Sequence, residues 1–222
     1  MDIHLEQELE QIKIQIMNMF ALAERALDKS LQALVNRDSN LAQQVLDEDK
    51  QINKMEVDIE DLCLSTLALS QPVARDLRFV VGCSRIANSL ERVGDQATNI
   101  AERAIALNSK PEIPIINNIQ SLSEIVHSML RDVITAFTNL DEDLSSQTCE
   151  KDSQADELNV KIIKKLVDYM SCENVIIERA VHTILISNFL ERVGDLATNI
   201  AEHIVFISKG LNVKHSCQFD GQ

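Results

Sequence analysis

The sequence predicts an all-α protein built as two tandem, pseudo-symmetric three-helix antiparallel bundles, six long helices in all. Three observations carry this reading. Residues 91–102 (ERVGDQATNIAE) and 191–202 (ERVGDLATNIAE) agree at eleven of twelve positions, at an offset of 100. A second stretch, EDKQINKMEV at 48–57, lines up with KDSQADELNV at 151–160 at an offset of 103, so a tandem duplication explains the whole pattern. Apolar residues recur at helical spacing throughout. With only 3 Pro, 5 Gly, 3% aromatics and no Trp, the chain lacks the turns and aromatic strands of a sandwich or barrel.

The elements follow in order. A first helix is expected near 3–36, where Leu9, Ile12, Ile16, Met19, Ala23 and Ala26 form a seam. Asp38 and Ser39 supply the turn and N-cap. The second helix, near 39–69, carries Ile52, Met55, Ile59, Leu62, Thr66 and Leu69 at heptad spacing. Ser70-Gln71-Pro72 opens the third, near 72–108, with Pro at the first helical position, where its missing N–H removes no bond. The Pro-dense stretch from Asn108 to Pro114 reads as the link between halves. Helices near 115–140, 144–170 and 174–209 complete the second bundle, the last with Ala180, Ile184, Val193, Ala197, Ile200, Ile204 and Ile207 as its seam. Lys209-Gly210 reads as a C-terminal stop, a cation at the negative dipole end followed by a residue free to turn left-handed. The expected organisation is a first repeat at 1–110, a second at 111–210, and a flexible tail at 211–222.

Charge narrows the function. The 21 Lys and Arg against 35 Asp and Glu leave −14, which repels phosphate backbones and anionic lipid, so nucleic acid is not an expected partner. No apolar run approaches the ~18 residues of a membrane span, and the acidic start MDIHLEQELE does not read as a signal peptide. Cys63, Cys83, Cys149, Cys172 and Cys217 are odd in number and scattered without a CxxC, which suits reduced thiols in a cytoplasmic protein.

The repeated motif has chemistry of its own. At about 100° per residue, Glu91, Asp95, Asn99 and Glu102 fall within one stripe of about 80°, opposite the seam of Leu90, Val93, Ala97 and Ile100. Glu191, Asp195, Asn199 and Glu202 repeat it. Like charges four apart destabilise a helix by a few tenths of a kcal/mol, and a cation offsets that repulsion. Oxygen donors suit Mg²⁺, Mn²⁺, Ca²⁺ or iron. The preceding helix of each half offers more: Asp49, Asn53, Glu56 and Glu60 in the first, Asp152, Asp156 and Asn159 in the second. Gly94 and Gly194 sit inside helices, where Gly is unfavourable by ~1 kcal/mol against Ala. Close approach of the neighbouring helix accounts for them, and would place one metal site in each half between its second and third helices.

These motifs, with PVARDLR at 72–78, resemble the PhoU family, the regulators that accompany bacterial phosphate-specific ABC transporters; the resemblance spans nearly the whole chain. It implies a cytoplasmic, non-enzymatic regulator, often dimeric. Such a protein limits phosphate uptake and represses the phosphate-starvation response by linking the transporter's ATPase to the PAS-type region of a sensor histidine kinase. The membrane would be reached only through those partners. It further implies multinuclear metal clusters on E(D)-x-x-x-D pairs, matched here by Glu91 with Asp95, Glu191 with Asp195, and Asp152 with Asp156. The fourth pair departs from the pattern, since Asp49 is followed by Asn53, so its site is expected to bind more weakly or to take a different metal. PVARDLR has no counterpart in the second half, where the equivalent stretch reads ENVIIERA; Arg75, Asp76 and Arg78 are therefore either a docking contact or a helix-start ion pair. Three rival readings remain: a metal-independent scaffold docking through its acidic stripes, a di-iron carboxylate oxidase for which only Glu124-x-x-His127 supplies a ligand motif, and a phosphotransfer bundle using His127 or His182. His4, His203 and His215 are expected at the surface, with Met17, Met19 and Met55 as core filling.

Overall fold

The computed structural model describes residues 3–113 and 115–211; Pro114 and residues 212–222, with the expected tail, His215 and Cys217, lie outside the described residues. Six long helices run in order: α1 (Ile3–Val35), α2 (Ser39–Leu69), α3 (Ala74–Asn108), α4 (Ile116–Asn139), α5 (Glu142–Cys172) and α6 (Ile177–Lys209). A single 3₁₀ turn (Asn174–Ile176) precedes α6, and there is no strand among the described residues.

The terminators work as their chemistry dictates. The Asp38 carboxylate accepts from the backbone N–H groups of Asn40 and Leu41, capping α2. Gly210 ends α6 at φ +75°, and its N–H reaches the Phe206 carbonyl. Pro72 behaves differently from the expectation. It lies buried in the turn before α3, and α3 begins only at Ala74. Gln71 and Ala74, on either side, both take positive φ (45° and 48°), with Val73 extended between Pro72 and Ala74. The proline disfavours a right-handed helical Gln71, so the chain turns through the left-handed region, unfavourable by about 1–2 kcal/mol at each non-glycine residue. Leu69, expected as the last rung of the α2 seam, is instead 78% exposed.

Helices α1, α2 and α3 pack on one another, as do α4, α5 and α6, and the two triads join along α3 and α6 with a lesser contact of α1 on α4. The buried apolar residues of both triads form one continuous core. α3 and α6 run antiparallel: a Cβ placed on Gly82 would overlap Ile207 Cγ1 and lie 2.6 Å from its Cδ1, and the Arg85 guanidinium sits 5.0 Å from the centre of the Phe206 ring. Phe137 of α4 meets Phe20 of α1 at 5.8 Å and Phe79 of α3 at 6.4 Å. At the α1–α4 contact, His127 Nε2 lies 3.2 Å from Asp28 Oδ1 and Arg131 pairs with Glu24. The link between halves is tied down by arginines: Arg37 donates to the Asn108 carbonyl at 2.7 Å, and Arg179 to those of Pro111 and Glu112.

Cys63, Cys83 and Cys149 are buried and Cys172 is exposed. Among the described residues, no helix is long and apolar enough to cross a membrane.

Candidate cation sites in two acidic clusters

Each cluster is made by an antiparallel helix pair. In the first half Gly94 lets α2 come close: a Cβ there would lie 2.9 Å from Ile52 Cδ1. That approach sets Asp49 and Glu56 of α2 against Glu91 and Asp95 of α3. Glu91 is pushed above the usual carboxylate range by burial first, then by Asp95, Glu56 and Asp49, with the Arg92 guanidinium opposing. Asp95 is raised by burial and by Asp49, again opposed by Arg92. Burial and Glu60 raise Glu56. Asn53 donates through Nδ2 to Asp49 Oδ2 at 2.9 Å, while Asp49 Oδ1 and Asn53 Oδ1 are buried with no hydrogen-bond partner among the described residues.

The second cluster holds only carboxylates. Asp152 and Asp156 of α5 face Glu191 and Asp195 of α6. Burial, then Asp195, Asp156 and Glu191, push Asp152 up to about 6, and the nearby Thr198 hydroxyl pulls the other way. Glu191 is raised by burial, Asp195 and Asp156; Asp195 is raised by burial and Asp156, with Arg192 and Arg92 opposing. Asp152 Oδ1 is buried without a well-formed hydrogen bond. Close helix approach does not account for Gly194. A Cβ there would meet Asp152 Oδ1 at 3.4 Å and Met129 Cε at 3.6 Å, ordinary contact distances.

The structure divides the predicted stripes. Glu102 is exposed and pairs with Arg103 at 2.8 Å, away from the first cluster. Asn159 leaves the acidic row: its Oδ1 accepts from Ser187 at 2.5 Å and its Nδ2 donates to Asn188 at 3.2 Å, holding α5 to α6. Asn199 and Glu202 line a groove against Ser84, Arg85, Asn88 and Arg92 of α3, and Glu202 is only 6% exposed. The helical wheel places that face opposite the seam of its own bundle, but the other half covers it. His203, half-buried, lines the same groove; His4 is exposed and lies 3.6 Å from Glu8.

Two contributors escaped the sequence. Arg92 lines two adjoining grooves along the α3–α6 crossing and opposes the repulsion in both clusters. Gln96 lies with Asp152, Asp195, Arg192 and Leu196 at the α3–α6 crossing. The readable signal was that Gln96 against Leu196 is the one mismatch between the twelve-residue motifs.

Arg75 is exposed and Asp76 half-buried. Arg78 lies against Gly210, whose added Cβ would stand 3.3 Å from Arg78 Cδ and Nε, so this cation sits at the negative end of α6. No ion pair joins Arg75 or Arg78 to Asp76 among the described residues. Burial lowers the pKa of both His127 and His182.

Among the described residues, no group of three or more His, Cys, Asp and Glu side chains is arranged to hold a metal ion as it stands. The donor set nonetheless fits a hard divalent ion: oxygens alone, from four carboxylate residues in the second cluster and from four carboxylate residues plus the amide oxygen of Asn53 in the first, several of them buried without partners.

Comparison with known proteins gives a consistent result. The PhoU domain family model matches twice, at residues 16–104 and 119–204. The chain is 40% identical to the phosphate-specific transport system accessory protein PhoU homolog of Aquifex aeolicus, over 95% of this chain and 96% of the relative. The crystal structure of PhoU from Pseudomonas aeruginosa superposes with a TM-score of 0.90 at 35% identity, covering 93% of this chain and 99% of that one. The phosphate transport system regulatory protein PhoU from Streptococcus pneumoniae gives a TM-score of 0.88 at 26% identity, covering 95% and 99%.

Proposed function

Because the chain belongs to the PhoU family, we propose that it is a non-enzymatic accessory regulator of a phosphate-specific ABC transporter, working with divalent cations held in its two acidic clusters. In this reading it restrains phosphate uptake and the phosphate-starvation response in the cytoplasm. It acts as a homodimer between the transporter's ATPase and the PAS-type region of a sensor kinase. The observation that carries the cation reading is the convergence of acidic residues from two helices in each half, with their pKa values raised by burial and then by one another. A bound Mn²⁺, Mg²⁺, Ca²⁺ or iron would cancel that repulsion and offer open coordination positions to a partner's carboxylate or phosphate.

The chain's own residues then have distinct roles. Asp49, Asn53, Glu56, Glu91 and Asp95 hold the first ion, and Asp152, Asp156, Glu191 and Asp195 the second. Arg92 and Arg192 partly balance the charge of the metal-free protein. Arg75, exposed in the first turn of α3, is available to a partner.

The test is complementation in cells lacking this gene, beside metal analysis of protein purified without chelator. The wild type restores repression in high phosphate and carries bound metal, whereas Asp95→Ala/Asp195→Ala does neither. Normal repression in the deletion strain contradicts the regulatory role. Undiminished metal in the double variant contradicts the cluster assignment. The lack of a preformed three-ligand group favours a second reading, direct docking of partners on the acidic surface. Metal-free wild type that still represses selects it.

A further inference from the structure

We propose that Cys63 and Cys83 form a dithiol site between α2 and α3, closed to a disulfide by a two-electron thiol oxidant, that locks this helix pair beside the first acidic cluster.

The register of the pair places them together. Ile52 of α2 stands against Gly94 of α3. Cys63 lies 11 residues after Ile52, and Cys83 lies 11 residues before Gly94. Eleven residues are about three full turns, so in an antiparallel pair the facing contact recurs at these two positions. Both side chains point inward, since Cys63 is 2% exposed and Cys83 is 0% exposed. Helices packed at about 8–10 Å with Cα atoms about 2.3 Å from each axis bring facing Cα atoms to about 3–5 Å, a range whose upper part overlaps the span a disulfide bridges. The thiols also sense each other: Cys83 is held well above the ordinary thiol range by burial and then by Cys63.

The chemistry balances with a diazene oxidant such as diamide. The two thiols lose two protons and two electrons as the Sγ–Sγ bond forms, and the N=N bond takes up both to become a hydrazine. Burial pushes the Cys63 thiol up to about 11, and the thiolate is the attacking species. The reaction therefore proceeds through opening of α2 from α3 and is slower than attack at exposed Cys172. The product closes residues 64–82 into a loop and fixes the register of Asp49 and Glu56 against Glu91 and Asp95.

The experiment is native-state oxidation of the full chain with diamide for hours at neutral pH, then alkylation in denaturant and peptide mass mapping. The expected product is a cross-linked peptide pair joining Cys63 to Cys83, lighter by two hydrogens than the free peptides, with both residues lost to alkylation. Two results overturn the proposal. One is that Cys63 and Cys83 remain fully alkylatable after Cys172 has been consumed. The other is that the Cys63–Cys83 link is no more abundant than after oxidation in urea.

Discussion

In the first half Asn53 donates to Asp49 at 2.9 Å, joining the α2 pair by a hydrogen bond; in the second half Asp156 stands at the matching place and adds a charge that raises Asp152, Glu191 and Asp195. One side-chain atom separates an amide from a carboxylate, yet one cluster is partly self-satisfied and the other is charge-crowded. The halves also differ in surroundings. Glu102 is exposed on an ion pair with Arg103, whereas Glu202 is buried where α6 lies against α3. A duplicated motif thus keeps its carboxylates, while the residue one helical turn after Asp49 or Asp152 and the packing of each copy decide how charge-crowded each cluster is.

Exchanging the differing residues should sharpen this contrast most. Asn53→Asp should raise divalent-ion affinity of the first cluster by roughly tenfold, and Asp156→Asn should lower that of the second by a similar factor, about 1.4 kcal/mol each. Mn²⁺ titration by calorimetry measures both, and equal affinities before and after exchange would break the comparison. Next come the glycines. Gly82→Ala drives a methyl into Ile207 at the α3–α6 crossing and should destabilise by about 1–3 kcal/mol. Gly94→Ala meets Ile52 Cδ1 at 2.9 Å and Cγ2 at 3.2 Å, a milder overlap than at Gly82, and should do less. Gly194→Ala finds ordinary contacts and should be neutral or stabilising by up to about 1 kcal/mol. Denaturant midpoints rank the three.

The pH dependence has a definite sign. The pKa of Asp152 is raised to about 6 from 3.8, so the folded state holds this proton more tightly than the unfolded chain. Metal-free protein therefore loses stability as pH rises from about 4 to 6, by about 1–2 kcal/mol once solvent screening is allowed for. Asp152→Asn should flatten that slope and stabilise the metal-free protein at neutral pH, read from thermal unfolding with chelator between pH 4 and 8; an unchanged slope contradicts the crowding. The smallest contrast is at the motif ends: Glu202→Ala should destabilise by about 1–3 kcal/mol, and Glu102→Ala by less than about 0.5 kcal/mol.

The helices were legible because the same rule wrote them everywhere. Ile12, Ile16, Met19, Ala23 and Ala26 of α1, and Val193, Ala197, Ile200, Ile204 and Ile207 of α6, are all buried as their spacing demands. The pairing of Asp49 with Asp95 and of Asp152 with Asp195 followed from matching rows on adjacent helices. What could not be read was contact between the halves. The burial of Glu202, the role of Gly82 and the place of Gln96 all depend on α3 crossing α6, a packing that no periodicity within one bundle encodes. Asn159 left its row because Ser187 and Asn188, on another helix, satisfy it. Arg78 lies on Gly210, far along the chain, rather than on Asp76 two residues away.

The central claim is that each half holds a divalent cation between its second and third helices. Calorimetric titration of Mn²⁺ into chelator-treated protein tests it most directly, comparing wild type, Asp95→Ala, Asp195→Ala and the double variant. The account predicts two classes of site in the wild type, loss of the weaker class in Asp95→Ala, loss of the tighter in Asp195→Ala, and none in the double variant. Undiminished heat in the double variant, or none in the wild type, would contradict it.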